Sequence, residues 1–124
     1  MNRRKGITML FKGIGRTFST ENDHQYETIG AFWDELAAKY DLVNLQGLGY
    51  GWTGRSIEYV IGLIDGEIDG ADRVVRLPDT GWVTVRGQTA NLVEIYEKIY
   101  QEGRLKYEIE RFTDSGDCEI MYYR

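Results

Sequence analysis

The sequence predicts an α+β fold: a duplicated β-α-β-β module forming a mostly antiparallel sheet, with two helices packed on one face. Three observations point there. Two segments place apolar residues at the 3.6-residue spacing of an amphipathic helix. Alternating, β-branched or aromatic runs bounded by Gly, Asp and Pro surround them and read as strands. The order strand, helix, hairpin then occurs twice along 124 residues, a length that suits one domain with its own core.

Taken in order, residues 1–6 read as a loose basic tail and Ile7 to Phe18 as a strand broken by Gly13 and Gly15. The polar loop Ser19 to Gln25 leads to the clearest helix, where Ile29, Phe32, Trp33, Leu36, Ala37 and Tyr40 share one face. Thr28 is its expected N-cap, and Asp34, Glu35 and Lys39 take the wet side. Gly47 to Thr53 reads as a short strand turning at Thr53-Gly54-Arg55, and Ile57 to Ile64 as a strand with Tyr59, Ile61 and Leu63 on one face. The Gly- and Asp-rich stretch Asp65 to Asp72 is the expected boundary between halves spanning about 7–70 and 71–124. Arg73 to Leu77 reads as an edge strand, and Pro78-Asp79-Thr80-Gly81 as a turn. The pattern then repeats: strand Trp82 to Arg86 ended by Gly87, a helix with Leu92, Ile95, Tyr96, Ile99 and Tyr100 on one face, and strands Tyr107 to Phe112 and Asp117 to Tyr123. Thr89 or Asn91 would cap that helix and Gly103 would end it. Each helix must bury its stripe against sheet. Two such halves leave a ligand cleft where they meet.

Composition removes several function classes. Fifteen Lys and Arg against twenty Asp and Glu give a net charge of −5, which argues against direct nucleic-acid binding. One cysteine and one histidine leave no disulfide framework and too few ligands for the common zinc motifs, so neither metal nor cofactor is expected. No apolar run approaches the ~20 residues of a membrane span, and the basic start is not followed by a signal-type apolar stretch. The expected localisation is therefore cytoplasmic. His24 reads as a surface residue, Cys118 as an inert strand thiol, and Gly13-Ile14-Gly15-Arg16 lacks the spacing of a phosphate loop.

The aromatic content, 13%, is the unusual feature, because Tyr and Trp suit a pocket wall that must grip a ligand and stay partly wet. Trp33 lies on the first helix's stripe with an indole N–H that needs a partner. Tyr96 and Tyr100 lie one turn apart on the second helix and would face it across the cleft. Trp52, Tyr59 and Trp82 lie on strands expected to floor it. Glu119 sits between Cys118 and Ile120. By strand alternation it enters the cleft if those two point away from the helices, and faces solvent if they point toward them. Glu102, at the end of the second helix, is a carboxylate that an aromatic cleft would tune toward a cation.

Several local features, in order, resemble the GyrI-like, AraC-type effector-binding domain, a small-molecule-binding module. They are Glu21-Asn22 through Gln25 into Phe32-Trp33-Asp34-Glu35-Leu36, then Tyr50-Gly51-Trp52 with Tyr59-Val60-Ile61-Gly62, then Val85-Arg86-Gly87 into Ile99-Tyr100-Gln101-Glu102, and last Tyr107-Glu108-Ile109 with Cys118-Glu119-Ile120. The resemblance covers about residues 12–123 and implies an aromatic pocket between two modules with an acid that reads cationic or amphipathic ligands. Glu102 stands where that family tends to place a pocket glutamate, although Gly103-Arg104-Leu105 follows where many members have Trp. Members that hydrolyse strained rings use a second glutamate, and Ile64 stands where that acid would be expected.

The expected function is therefore binding of a small, partly apolar cationic ligand by a stand-alone regulator or drug-binding module, with no catalytic residue assigned. A hydrolase of electrophilic small molecules is the alternative, with Glu102 as general base. A homodimer, or a protein-interaction module acting on a topoisomerase or transcription regulator, is the other.

Overall fold

The computed structural model describes residues 8–41, 44–66, 68–113 and 115–124. The basic run read as a tail at 1–6 lies outside the described residues. The elements follow as β1 (Thr8–Ser19), α1 (Gln25–Ala37), β2 (Gln46–Tyr50), β3 (Ser56–Ile64), β4 (Arg73–Pro78), β5 (Val83–Gln88), α2 (Leu92–Gln101), β6 (Tyr107–Phe112) and β7 (Asp117–Tyr123). All seven strands form one antiparallel sheet in the order β4-β1-β3-β2-β6-β7-β5. The fold is α+β, as the sequence predicts. Outward from the β2–β6 seam the order is the same on both sides, β2, β3, β1 and β6, β7, β5, with β4 added beyond β1.

Strand alternation divides the apolar residues between two faces. Tyr59 and Ile61 of β3 meet Phe32, Trp33 and Leu36 of α1. Ile120 and Tyr122 of β7 meet Tyr96 and Ile99 of α2. Their strand neighbours Val60, Leu48 and Ile109 point the other way and join Phe11 and Leu77 in a separate buried cluster. Fully burying such side chains contributes roughly 1.5–3 kcal/mol apiece.

The helix-free face is closed by curvature. β4 and β5 stand at opposite edges of the sheet, yet only residues 79–82 join them. Seven flat strands would span about 29 Å. The chain from Pro78 to Val83 reaches about 18 Å at most. The sheet must therefore curl and bring its edges toward each other over the Phe11–Leu48–Ile109 cluster. Gly13 and Gly62, paired across β1 and β3, accommodate the close approach: a Cβ on Gly13 would lie 2.1 Å from the Ile61 carbonyl oxygen. Gly13 and Gly15 thus serve close packing inside a continuous β1, and do not break the strand as their composition suggested.

Other local expectations shift by a few residues. α1 starts at Gln25 and not at Thr28, whose hydroxyl donates back to the His24 carbonyl inside the first turn. Tyr40 lies beyond the end of α1 but still packs on its cluster, with its hydroxyl on the Asp69 carbonyl. β5 runs through Gly87, where a Cβ would meet the Ile95 Cδ1 atom of α2 at 2.8 Å. The Asp65–Asp72 stretch is tied back to β1: Asp65 Oδ1 accepts from Leu10 N–H, and Asp72 Oδ1 from Gly15 N–H. Among the described residues no helix is long and apolar enough to cross a membrane.

Candidate functional site

α1 and α2 converge over the β2–β6 seam and enclose a cavity of about 100 Å³. Tyr26, Ile29 and Trp33 come from α1, Leu92, Tyr96 and Tyr100 from α2, and Ile57, Tyr59, Glu108, Glu110 and Phe112 from the sheet. No Lys, Arg or His lines it. Two larger grooves adjoin the cavity on the outside. One, of about 580 Å³, shares Gln25, Tyr26 and Tyr100 with the cavity and adds Asp23, Trp52 and Glu97. The other, of about 330 Å³, is lined by Trp52, Tyr100 and Leu105 among others. Tyr100 lines all three.

Two acids form the floor. Glu108 and Glu110 are each only 5% exposed. β2 makes room for them. Gly49 stands opposite Glu108 and Gly47 opposite Glu110, so the neighbouring strand presents no side chain there. A Cβ on Gly49 would lie 2.9 Å from Glu108 Oε1, and one on Gly47 would lie 1.8 Å from the Tyr59 hydroxyl oxygen.

Tyrosines satisfy the acids. Tyr59 donates its hydroxyl to Glu110 Oε1, and Tyr96 donates to Oε2 at 2.5 Å. Trp33 Nε1–H donates in turn to the Tyr59 hydroxyl at 2.9 Å, giving the indole the partner its burial requires. Tyr100 donates to Glu108 Oε2 at 2.9 Å and stacks on Tyr96, with ring centroids 5.6 Å apart. Burial pushes the Glu110 carboxyl up, while the two tyrosine hydrogen bonds pull it back down. Burial first, and then the charge of Glu110, pushes Glu108 well above the usual carboxylate range, against the pull of Tyr100. Burial likewise raises Tyr59, Tyr96 and Tyr100 well above the ordinary phenol value, and Tyr26, also facing the charge of Glu108, is pushed up to about 12. The arrangement is an aromatic box with two buried carboxyl groups at its base. Aromatic faces can attract a cation, by about 0.5–2 kcal/mol each, and an ionised carboxylate can add to that.

Of the residues selected from sequence, Trp33, Tyr59, Tyr96 and Tyr100 come together in the cavity. Trp52 lines the outer grooves. Trp82 sits on the helix-free face, packed on Tyr107 and Tyr123, with its Nε1–H on the Pro78 carbonyl at 2.7 Å. Cys118 and Ile120 point toward α2, so Glu119 faces the other way and pairs with Arg86 Nε at 2.9 Å. Glu102 follows the last residue of α2, its side chain 70% exposed and 3.2 Å from Arg124 Nη2. Neither of these two acids lines the cavity. Glu108 and Glu110, which do, were read only as part of a closing hairpin. The signal for them was the pattern Tyr-Glu-Ile-Glu: with Ile109 in the core, both acids must share the opposite face. His24, read as a surface residue, is exposed beside Glu27, and Cys118 is buried. Among the described residues no cluster of three or more His, Cys, Asp or Glu could hold a metal ion.

No protein-family model matches the chain, and no curated protein matches its sequence. Solved structures share its fold. SAV2435 bound to tetraphenylphosphonium superposes with a TM-score of 0.67 at 16% identity, over 93% of this chain and 87% of that one. A Staphylococcus aureus MU50 protein described as a bacterial transcription regulation protein does so at 0.61 and 19% identity, over 93% and 91%. The chain therefore shares its overall fold with a protein captured on an organic cation.

Proposed function

We propose that this protein binds small organic cations with an apolar or aromatic body in the cavity between α1, α2 and the β2–β6 seam. Recognition, and not turnover, is its work there. One observation carries the reading: Glu110, buried at the base of an aromatic box without any cationic side chain, has both oxygens held by tyrosine hydroxyls. Burial raises the Glu110 carboxyl, the two donors oppose that rise by stabilising the ionised form, and no basic side chain lines the cavity, so an arriving cation is the partner that would favour the carboxylate. A hydrogen bond on each oxygen also lowers the basicity of Glu110, which weighs against the hydrolase alternative. Ile64, where the hydrolase resemblance expects an acid, packs on the helix-free face instead. The fold shared with SAV2435, bound to tetraphenylphosphonium, supports the same ligand class. So does the resemblance to effector-binding domains, which makes a regulatory consequence of binding part of the proposal.

The cavity of about 100 Å³ is smaller than the 300–1,000 Å³ typical of drug-sized ligands. A ligand of several rings must therefore join the cavity to the outer groove. Tyr100 and Tyr26 are the walls that separate them, and they must turn aside. The test is a titration with tetraphenylphosphonium followed by tryptophan fluorescence. Saturable quenching should persist in Trp82→Phe, whose indole is on the far face, and should vanish in Glu110→Gln. A wild type that gives no saturable response, or a Glu110→Gln variant that binds equally well, rules the reading out.

A further inference from the structure

The cavity holds two acids, and a monocation answers only one. Glu108 and Glu110 are two residues apart on the same face of β6, so their backbone positions are about 7 Å apart. Their hydrogen bonds distinguish them. Glu110 has a tyrosine donor on each oxygen, whereas Tyr100 is the tyrosine that donates to Glu108. Tyr100 also forms the wall toward the outer grooves, so a ligand that moves it alters Glu108 first.

The groups facing Glu108 are Tyr26 from α1, Tyr96 and Tyr100 from α2, Tyr59 from β3, Tyr122 opposite it on β7, and Glu110 on its own strand. No basic side chain lines the cavity to stabilise a second charge, and burial beside Glu110 favours the protonated Glu108 carboxyl. Tyr26, Tyr59, Tyr96 and Tyr100 are all held above the ordinary phenol value, whereas Glu108 is the carboxyl whose proton burial retains, so a charge arriving in the cavity displaces that proton first.

Resting on the cation-site reading, we infer that the cavity selects organic dications whose charges lie about 7 Å apart, the spacing of alternate strand residues. The first charge pairs with Glu110. The second takes the place of the proton on Glu108, which passes to the solvent buffer. One proton is released per dication bound and no bond in the ligand changes.

Two probes on one biaryl frame separate the cases: methyl viologen, a dication, and N-methyl-4-phenylpyridinium, its monocationic counterpart. Calorimetric titrations between pH 6 and pH 8, in buffers of different ionisation enthalpy, read affinity and proton release together. Methyl viologen should bind more tightly, release one proton, and gain up to about tenfold in affinity per pH unit while Glu108 is protonated in the free protein. The monocation should release none. In Glu108→Gln, an isosteric change that removes a buried acid and keeps the fold, the preference for the dication and the proton release should both disappear. If the monocation binds but methyl viologen binds no better, or binds without releasing a proton, the inference is overturned and the cation site stands. If neither probe binds to folded wild type, the proposed function itself fails.

Discussion

Gly47→Ala should be among the most damaging single-methyl additions to this protein. A Cβ there would stand 1.8 Å from the Tyr59 hydroxyl oxygen, 2.5 Å from its Cζ atom and 3.0 Å from Trp33 Cζ2. Tyr59 is buried and wedged between Trp33 and Glu110, so the ring cannot yield without breaking the hydrogen bonds that join all three. Overpacking of a dense core costs about 1–3 kcal/mol. Loss of a hydrogen bond to a charged group adds about 1.5–3 kcal/mol. The expected destabilisation is therefore about 2.5–6 kcal/mol, a large share of the roughly 5–15 kcal/mol that holds a typical domain together. Urea unfolding followed by tryptophan fluorescence measures it. Two other glycines calibrate the result. Gly49→Ala meets Glu108 Oε1 at 2.9 Å, Glu108 Cγ at 3.0 Å and Ile57 Cδ1 at 3.1 Å, all side-chain atoms and none as close as the Tyr59 hydroxyl is to Gly47, and should cost about 1–2 kcal/mol, the low end of the overpacking range. Gly30→Ala, on α1 with nothing within 4 Å of its Cβ, should stabilise by about 0.5–1 kcal/mol. A Gly47→Ala variant within 0.5 kcal/mol of wild type, or one no worse than Gly49→Ala, would refute the account of β2 as space reserved for Tyr59.

Other consequences follow from the same geometry. Both buried acids have folded-state values raised above the ~4.3 of an unfolded glutamate, so their contribution is most favourable below that pH and is lost as pH rises through the folded values. Unfolding curves from pH 4 to pH 8 should therefore show Glu108→Gln gaining stability relative to wild type as pH rises, and a constant difference would contradict the buried-acid assignment. Arg124 donates to the Ile99 and Gly103 carbonyls at 2.7 Å and lies over the Tyr122 ring, so Arg124→Ala should loosen the end of α2 by about 1–2 kcal/mol. Hydrogen exchange at residues 99–103 should accelerate accordingly. Glu102→Gln should change cation affinity less than twofold, since its exposed carboxylate is outside the cavity, and a loss comparable to that of Glu110→Gln would return the charge-reading role to Glu102.

The fold was largely legible because its signals are local. The stripe from Ile29 to Leu36 and the stripe from Leu92 to Tyr100 specify two helices with one buried side, and the strand runs between them have little other use. Parity within a strand was equally readable once one residue was placed: Ile120 toward α2 sends Glu119 away. The acids of β6 were hidden for a different reason. A Glu-Ile-Glu strand normally signals one wet face and one dry face. Here the dry face is supplied by the curl that the short β4–β5 connection imposes, and the face carrying the acids lies under two helices. Neither fact exists in the local pattern, since both depend on strand order across the whole chain. Trp82 went astray similarly: it precedes β5, and the curl places it on the helix-free face. Glu102 is one residue past α2, and its direction is set by the contact with Arg124, 22 positions away.

The location of the site follows from an asymmetry within a symmetric strand order. β2 and β6 are equivalent in the sheet, each the inner strand beside the seam, and both helices converge above them. Were both strands to carry large side chains toward the helices, the seam would fill and no cavity would remain. Were both to carry acids, at least four carboxylates would crowd a space free of basic groups, and their repulsion would oppose folding. Instead β2 carries Gly47 and Gly49 where β6 carries Glu110 and Glu108. Glycine inside a strand weakens it, and a buried acid opposes folding at neutral pH, so neither choice serves stability. Each makes sense beside the other. The glycines give the acids and Tyr59 room, and the tyrosines hold the acids in place.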